Sequence, residues 1–143
     1  MRSFVSSWHI VCRSMKPFKG ADAPFEPVDP KNFVGRARVK RFSLVEGEQP
    51  VVVYLVEFEP GGRTNWHIHS APQLLLVMEG RGLVQKWGEP AREIASGDAV
   101  TIEPHEKHWH GAAAGTNMAH FAVNLNLTTE WLEPVSDDQY RAS

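Results

Sequence analysis

The sequence has a single cysteine, Cys12, and no apolar run that approaches the length of a membrane span. One thiol cannot close an internal disulfide, and there is no second thiol to help it bind zinc. We therefore expect a reducing compartment, the cytoplasm, and no membrane partner. Residues 1–16 lack a small-residue cleavage site, which argues against a signal peptide. Also missing are a P-loop, a glycine-rich dinucleotide fingerprint and a Gly-x-Ser-x-Gly elbow.

Charge of either sign is moderate. The 143 residues carry a net charge of −2, with 22% charged and 42% hydrophobic residues. A basic surface for nucleic acid or for anionic lipid is therefore not expected. This length and composition are typical of one globular domain with a single core.

Histidine is concentrated in one region, because six of the seven histidines fall between residues 67 and 120. One residue separates His67 from His69, and an amide follows at Gln73. On one extended strand these three positions share a parity and point to one face. A second alternating pair, His108 and His110, follows further along the chain. Convergent imidazoles are typical ligands of a divalent metal.

Short apolar segments separated by turn residues predict an all-β sandwich or barrel. We expect an N-terminal arm over residues 1–32, a barrel domain over 33–127 and a C-terminal tail over 128–143. The arm covers a sheet edge or packs on a partner subunit. The arm contains four prolines, which exclude a long helix or a central strand there. They are Pro17, Pro24, Pro27 and Pro30. In the tail, Ser136 is a candidate N-cap for a helical turn over residues 137–141.

Two spaced motifs resemble those of the cupin superfamily. The first runs Gly61, five residues, His67-Ile68-His69, three residues, Gln73, six residues, Gly80. Every spacing fits the family, and only the glutamine replaces a glutamate. The second runs Gly97, five residues, Glu103-Pro104-His105, two residues, His108, three residues, Ala112. There Gly97 and His108 fit, whereas the proline is displaced by one place. The resemblance implies a double-stranded β-helix, or jelly roll, with a metal inside the barrel.

A narrower resemblance is to the small bacterial cupins that include manganese-dependent hydroxynitrile lyases. It lies in segments such as Phe58-Glu59-Pro60-Gly61, Thr64-Asn65-Trp66-His67 and His108-Trp109-His110-Gly111. In that family three histidines and a glutamine hold the metal, and the matching positions are His67, His69, Gln73 and His108. The family's active-site cavity also contains residues that match Thr64, His110 and His120.

The donor set is uncharged, which bears on the metal. Three imidazoles and an amide oxygen leave a divalent ion its full charge and make it a strong Lewis acid. They also lack the carboxylate of the iron-binding triad of two histidines and one carboxylate. We expect Mn²⁺, with Fe²⁺, Zn²⁺ and Ni²⁺ as alternatives that the sequence does not separate.

Three further side chains are candidate catalytic residues. His110 shares strand parity with His108 and is a candidate general base, or else an exposed histidine at a strand end. His120 lies on a face with small and polar neighbours, as a cavity wall or as a structural core histidine. Thr64 either binds substrate or caps a turn.

Other prominent residues are interpreted as structural. Trp66 and Trp109 alternate with the ligand positions and should pack away from the metal. Leu74 and Leu76 are expected in the core, and His105 in a turn. The two cations near the motifs are expected to be exposed loop charges, at Arg63 and Lys107.

The preferred function is a metal-dependent lyase that acts on a small hydroxylated molecule, with reversible cyanohydrin cleavage as its sharpest form. A three-histidine Fe(II) dioxygenase and a non-catalytic cupin that binds a metal or a small ligand are the alternatives. The resemblance also implies a homodimer or a larger homo-oligomer.

Overall fold

The computed structural model describes residues 15–143, so Cys12 and the first 14 residues of the expected arm lie outside it. Nearly all regular structure is β. The strands are β1 (Glu26–Pro27), β2 (Phe33–Val34), β3 (Ala37–Val45), β4 (Val51–Phe58), β5 (Arg63–Thr64), β6 (His67–His69), β7 (Gln73–Lys86), β8 (Arg92–Ala95), β9 (Ala99–Ile102), β10 (His108–Ala112), β11 (Met118–Leu125) and β12 (Thr129–Trp131). A 3₁₀ turn occupies Gly20–Asp22 and helix α1 occupies Asp137–Arg141. Within residues 15–143, no helix has the length and apolar character needed to cross a membrane.

The strands form one curled antiparallel sheet in the order β1-β3-β4-β11-β7-β10-β5-β2. Strand β6 pairs with β10 and β12, and both β8 and β9 pair with β7. The first half of β7 pairs with β9 and β11, whereas its second half pairs with β8 and β10. One long strand therefore belongs to both walls, as the sheet closes into the jelly-roll barrel predicted from the sequence.

Gly80 lies inside β7, although the sequence pattern suggests that it ends a strand. Its φ is +73°, a left-handed conformation that glycine adopts without strain. A Cβ at this position would lie 1.8 Å from the backbone oxygen of Asn117. Glycine thus lets β7 pass close to the start of β11, so the strand bends between the two walls without a break.

In the first half of β7, over residues 73–78, side chains alternate between the inner and the outer face of the barrel wall. Leu75 and Val77 point inward and are buried, and Val77 packs with Phe58 in the largest apolar cluster. Leu74 and Leu76 point outward and are 37% and 40% exposed. The prediction that these two leucines belong to the core is therefore wrong, because apolar residues occupy both faces of this strand.

The chain on either side of the barrel packs against it. Near the N-terminus, β1 pairs with β3 at the sheet edge, with Glu26 opposite Val39. At the other end, β12 pairs with β6, with Thr129 opposite His69. Helix α1 follows and begins with the predicted N-cap Ser136, whose side chain accepts a hydrogen bond from the backbone N–H of Gln139.

Trp66 and Trp109 are buried with Val135 in a second apolar cluster, as expected of packing residues. Arg63 is only 4% exposed, so its interpretation as an exposed loop charge is wrong. Its guanidinium donates to the Val135 carbonyl at 2.7 and 3.1 Å and stacks over the ring of Tyr140. These contacts hold the C-terminal segment against β5.

Lys107 differs from its prediction as well. Its side chain is 23% exposed and pairs with the Glu133 carboxylate. The ammonium nitrogen also lies 3.6 Å from the centroid of the Trp87 ring, within cation–π range. Lys107 therefore contributes to packing at the end of the barrel.

Candidate metal centre

Three imidazole rings meet inside the barrel. His67 and His69 lie on β6, and antiparallel pairing places His108 of β10 opposite His67. The ring centroids are 4.1 Å apart for His67 and His108, 4.9 Å for His67 and His69, and 5.1 Å for His69 and His108. All three residues are at most 3% exposed. Alternation on β6 sends both of its histidines inward, as predicted.

Gln73 reaches the same cavity from another strand. The sequence argument placed it on one extended strand with His67 and His69, but β6 ends at His69 and Gln73 begins β7. The side chain is nevertheless buried and lines the cavity. Its Nε2 donates to Oδ1 of Asn124 at 2.7 Å, whereas its Oε1 has no hydrogen-bond partner.

The histidine rings are held in defined orientations. Nδ1–H of His67 donates to the Asn65 carbonyl at 2.8 Å, and that of His108 donates to the Glu106 carbonyl at 2.8 Å. A carbonyl only accepts, so in each neutral ring the proton is on Nδ1 and the lone pair is on Nε2. The third ring, His69, places Nδ1 2.9 Å from the hydroxyl oxygen of Thr129.

The donor atoms fit a divalent metal. Nε2 of His69, Nε2 of His108 and Oε1 of Gln73 are buried without a hydrogen-bond partner, which is costly unless another group binds them. Ring nitrogens of His67, His108 and His110 also lie within 4.8 Å of one another. Among the described residues this buried histidine cluster therefore fits a divalent metal site, with His69 or His110 as its third imidazole.

Burial keeps these imidazoles neutral. It lowers the pKa of His67 well below the usual value, with a smaller lowering from the neighbouring His108. It also lowers the pKa of His108 to about 4. The pKa of His69 is lowered by burial as well. Because a metal binds only the unprotonated ring nitrogen, these shifts favour metal binding near neutral pH.

His110 and His120 form a second pair beside the cluster. His110 Nδ1 lies 3.1 Å from His120 Nε2, and the backbone N–H of His110 donates to the hydroxyl oxygen of Thr64. Both rings are buried, so His110 is not the exposed strand-end histidine of the alternative interpretation. Burial lowers the pKa of His110 well below the usual value and that of His120 to about 4.

A cavity of about 290 Å³ opens in front of these side chains, a volume suited to a small molecule. The structure brings six of the seven predicted site residues to its lining, and His108 completes the cluster behind them. Sequence reasoning did not assign a role to Tyr54, Asn124, Thr129 or Trp131, which also line it. Strand parity does place Asn124 on the same face as His120, without giving it a role, whereas no local signal indicates β12.

Trp131 marks one side of the cavity. Its ring centroid lies 4.7 Å from that of His67 and 5.7 Å from that of Phe33. The residue is 37% exposed, so one part of the indole contacts the histidine while another part faces solvent. The cavity thus combines polar groups on one wall with an aromatic surface on another.

A jelly-roll barrel with a buried cluster of histidines inside it is typical of a class of proteins that bind a metal and a small molecule. The Cupin domain family matches residues 54–125, and this chain belongs to that family.

Relatives of known name agree with this assignment. Over 114 residues the chain is 43% identical to the (R)-mandelonitrile lyase of Granulicella tundricola, which covers 76% of this chain and 86% of the relative. Over 75 residues it is 35% identical to a dimethylsulfoniopropionate lyase of Ruegeria pomeroyi, covering 52% and 47%. The crystal structure of a cupin-like protein from Thermotoga maritima superposes with a TM-score of 0.77 at 39% identity, over 80% of this chain and 90% of that one.

Proposed function

We propose that this cupin is a metal-dependent lyase that cleaves and forms the carbon–carbon bond of a cyanohydrin. The observation that carries the proposal is the buried His110–His120 pair, which shares a cavity with the histidine cluster. The 43% identity to a protein named mandelonitrile lyase supports the same reaction. The base and three of the four proposed ligands line one cavity, within reach of one small molecule.

We assign the metal to His67, His69, Gln73 and His108, and His110 to the proton transfer. His69 and His110 differ in the group beside Nδ1, which is the Thr129 hydroxyl for His69 and the imidazole of His120 for His110. We assign the proton transfer to His110 because a second imidazole contacts its ring. A bound divalent ion, which we propose to be Mn²⁺, supplies Lewis acidity to the oxygen or nitrogen atom that it binds. Four uncharged donors leave that acidity undiminished.

His110 is the proposed general base. Its Nε2 is buried without a hydrogen-bond partner, so it is available to a substrate hydroxyl. As that hydroxyl loses its proton to Nε2, the carbon–oxygen double bond forms and the bond to the nitrile carbon breaks. The electron pair of the broken bond leaves with cyanide, which takes up one proton to give an aldehyde and hydrogen cyanide.

His120 and Thr64 support this base. When His110 gains a proton on Nε2, its Nδ1–H can donate more strongly to Nε2 of His120, which spreads the positive charge over two rings. Thr64 already accepts a hydrogen bond from the backbone of His110, so its own O–H is free to orient the substrate oxygen. Because both imidazoles are buried, the proton stays within the pair until cyanide takes it.

The test is benzaldehyde release from mandelonitrile by Mn²⁺-loaded protein. We expect turnover that is lost in His67→Ala, and that falls about 10²–10⁴-fold in His110→Gln with metal content unchanged. The Thr64→Val variant should lose less. Absence of benzaldehyde release from fully loaded protein would rule out the cyanohydrin reaction.

A three-histidine Fe(II) dioxygenase is the second candidate. The uncharged histidine cluster favours it, because it offers imidazoles without a carboxylate ligand. Oxygen consumption by Fe²⁺-loaded protein with diketones or thiols, without mandelonitrile cleavage, would support it. Metal-dependent thermal stabilisation, with no cleavage of mandelonitrile and no oxygen consumption, would instead support a non-catalytic binding protein.

We also propose that the chain works in the cytoplasm as a homodimer. The outer face of β7 exposes Leu74, Leu76 and Met78, a row without any charge. A second copy presents the same uncharged row, so a two-fold pair buries both. Sedimentation should give the mass of a dimer, and Leu76→Lys should give a folded monomer. A monomeric wild-type protein at micromolar concentration would contradict the proposal.

A further inference from the structure

We propose that Asn124 is a positioning residue that makes Gln73 an oxygen donor toward the metal. This inference rests on the proposed metal site, and it concerns how the chain presents the oxygen of a side chain that has two different ends.

The four proposed ligands are held in two different ways. Backbone carbonyls accept the Nδ1–H groups of His67 and His108, and no substitution removes a carbonyl. Side chains hold the other two ligands. Thr129 contacts His69, and Asn124 accepts the hydrogen bond of Gln73. The second pair of contacts is therefore open to change by a single mutation.

Gln73 depends on its contact more than a histidine does. An amide has an oxygen that binds a cation and an NH₂ group that does not. The two ends have nearly the same shape, so packing alone does not choose between them. Rotation of the amide by 180° would turn the NH₂ group toward the cavity and remove one of the four donors.

The contact with Asn124 determines which end of the Gln73 amide faces the cavity. Antiparallel pairing sets it directly opposite Gln73 across the β7–β11 ladder. Its Oδ1 accepts from Nε2 of Gln73 at 2.7 Å, so the NH₂ end points to β11 and Oε1 points into the cavity without a partner. With Oδ1 of Asn124 turned toward Gln73, as the structure has it, the oxygen of Gln73 lies on the side of the histidines.

The experiment is a titration of metal-free protein with Mn²⁺, read out as the dissociation constant and as the shift of melting temperature. Asn124→Leu has similar shape and no acceptor, and it should weaken Mn²⁺ binding about 10–100-fold. Asn124→Asp has a similar shape and only accepts, and it should bind Mn²⁺ at least as tightly as the wild type. The melting temperature of the metal-free variants shows that each is folded.

A second background separates orientation from general damage. A glutamate at position 73 presents an oxygen whichever way its carboxylate rotates, so it does not need an acceptor at position 124. In Gln73→Glu protein, adding Asn124→Leu should therefore change the Mn²⁺ dissociation constant less than about threefold. Asn124→Ala replaces Asn124→Leu in both backgrounds if the leucine variant does not fold.

The outcomes are distinct. An equal loss of affinity in the wild-type and Gln73→Glu backgrounds would overturn the inference, because it would show that Asn124 acts through structure alone. Unchanged affinity of Asn124→Leu in the wild-type background would overturn it as well. A wild-type chain that binds no Mn²⁺ would instead overturn the proposed metal site itself.

Discussion

The hydroxyl oxygen of Thr129 lies 2.9 Å from Nδ1 of His69, across the ladder that joins β12 to β6. The contact fixes the plane of the His69 ring and leaves Nε2 buried without a partner inside the barrel. A residue of the C-terminal segment thereby orients a proposed ligand that comes 60 positions earlier in the chain.

Replacing this hydroxyl should weaken metal binding. Thr129→Val keeps the shape and removes the hydrogen bond, so we expect a Mn²⁺ dissociation constant about tenfold higher. Thr129→Ser keeps the hydroxyl and is the matched control, with affinity near that of the wild type. Titration of metal-free protein measures both, and equal affinities for the valine and serine variants would contradict the role assigned to Thr129.

His105 should be replaceable by glycine with a gain in stability. Its φ is +66°, and the left-handed region costs a residue with a Cβ about 1–2 kcal/mol. Glycine avoids this cost but loses about 0.5–1 kcal/mol of backbone entropy. His105→Gly should therefore raise the free energy of unfolding by about 0.5–1 kcal/mol in urea denaturation. His105→Ala keeps the strain, and an equal gain there would refute this explanation.

Arg63 should matter more for stability than its partner Asp137. Arg63→Met leaves the Val135 carbonyl without its two donors, and an unsatisfied buried group costs about 1–3 kcal/mol. Asp137 is exposed, so Asp137→Asn should change the free energy of unfolding very little. Urea denaturation of the two variants makes the comparison, and equal losses would contradict it.

The metal-free protein should lose stability in mild acid through His120. Burial lowers the pKa of His120 to about 4, and its hydrogen-bonded neighbour His110 has a lowered pKa too. The unfolded chain, with a histidine pKa of about 6.5, binds protons that the folded chain does not. The resulting decrease in the free energy of unfolding is absent above about pH 6.5 and grows as the pH falls toward 4.

The effect can be isolated with His120→Asn. Each proton that only the unfolded state binds lowers the free energy of unfolding by about 1.4 kcal/mol per pH unit. Urea denaturation in the presence of a chelator, between pH 7 and 4.5, should give a shallower slope for His120→Asn than for the wild type. Identical slopes would show that His120 does not titrate in this range.

Local periodicity accounts for the parts of the site that the sequence predicts well. Strand alternation places His67 with His69, and His108 with His110, on common inner faces. The same rule places the two tryptophans in the packing cluster on the other side. These features depend only on neighbours two positions apart, which is the repeat of a strand.

The sequence predictions are wrong where a local pattern does not define which face of a strand is inward, or which distant segment packs against a residue. Apolar residues on both sides of β7 made Leu74 and Leu76 look like core residues. The burial of Arg63 depends on Val135, which is 72 positions away. The pairing of β12 with β6 is equally non-local, so no window of sequence around Thr129 indicates that it reaches the cavity.

The placement of β12 also orders events during synthesis. His69 emerges from the ribosome 60 residues before Thr129, so β6 waits with one edge unpaired. Contacts of such sequence separation form slowly, because a long loop must close first. The proposed ligand His69 is oriented only once β12 has docked, so we expect the proposed site to bind its ion after the barrel has folded. Small zinc domains follow the opposite order, because the ion itself drives their folding.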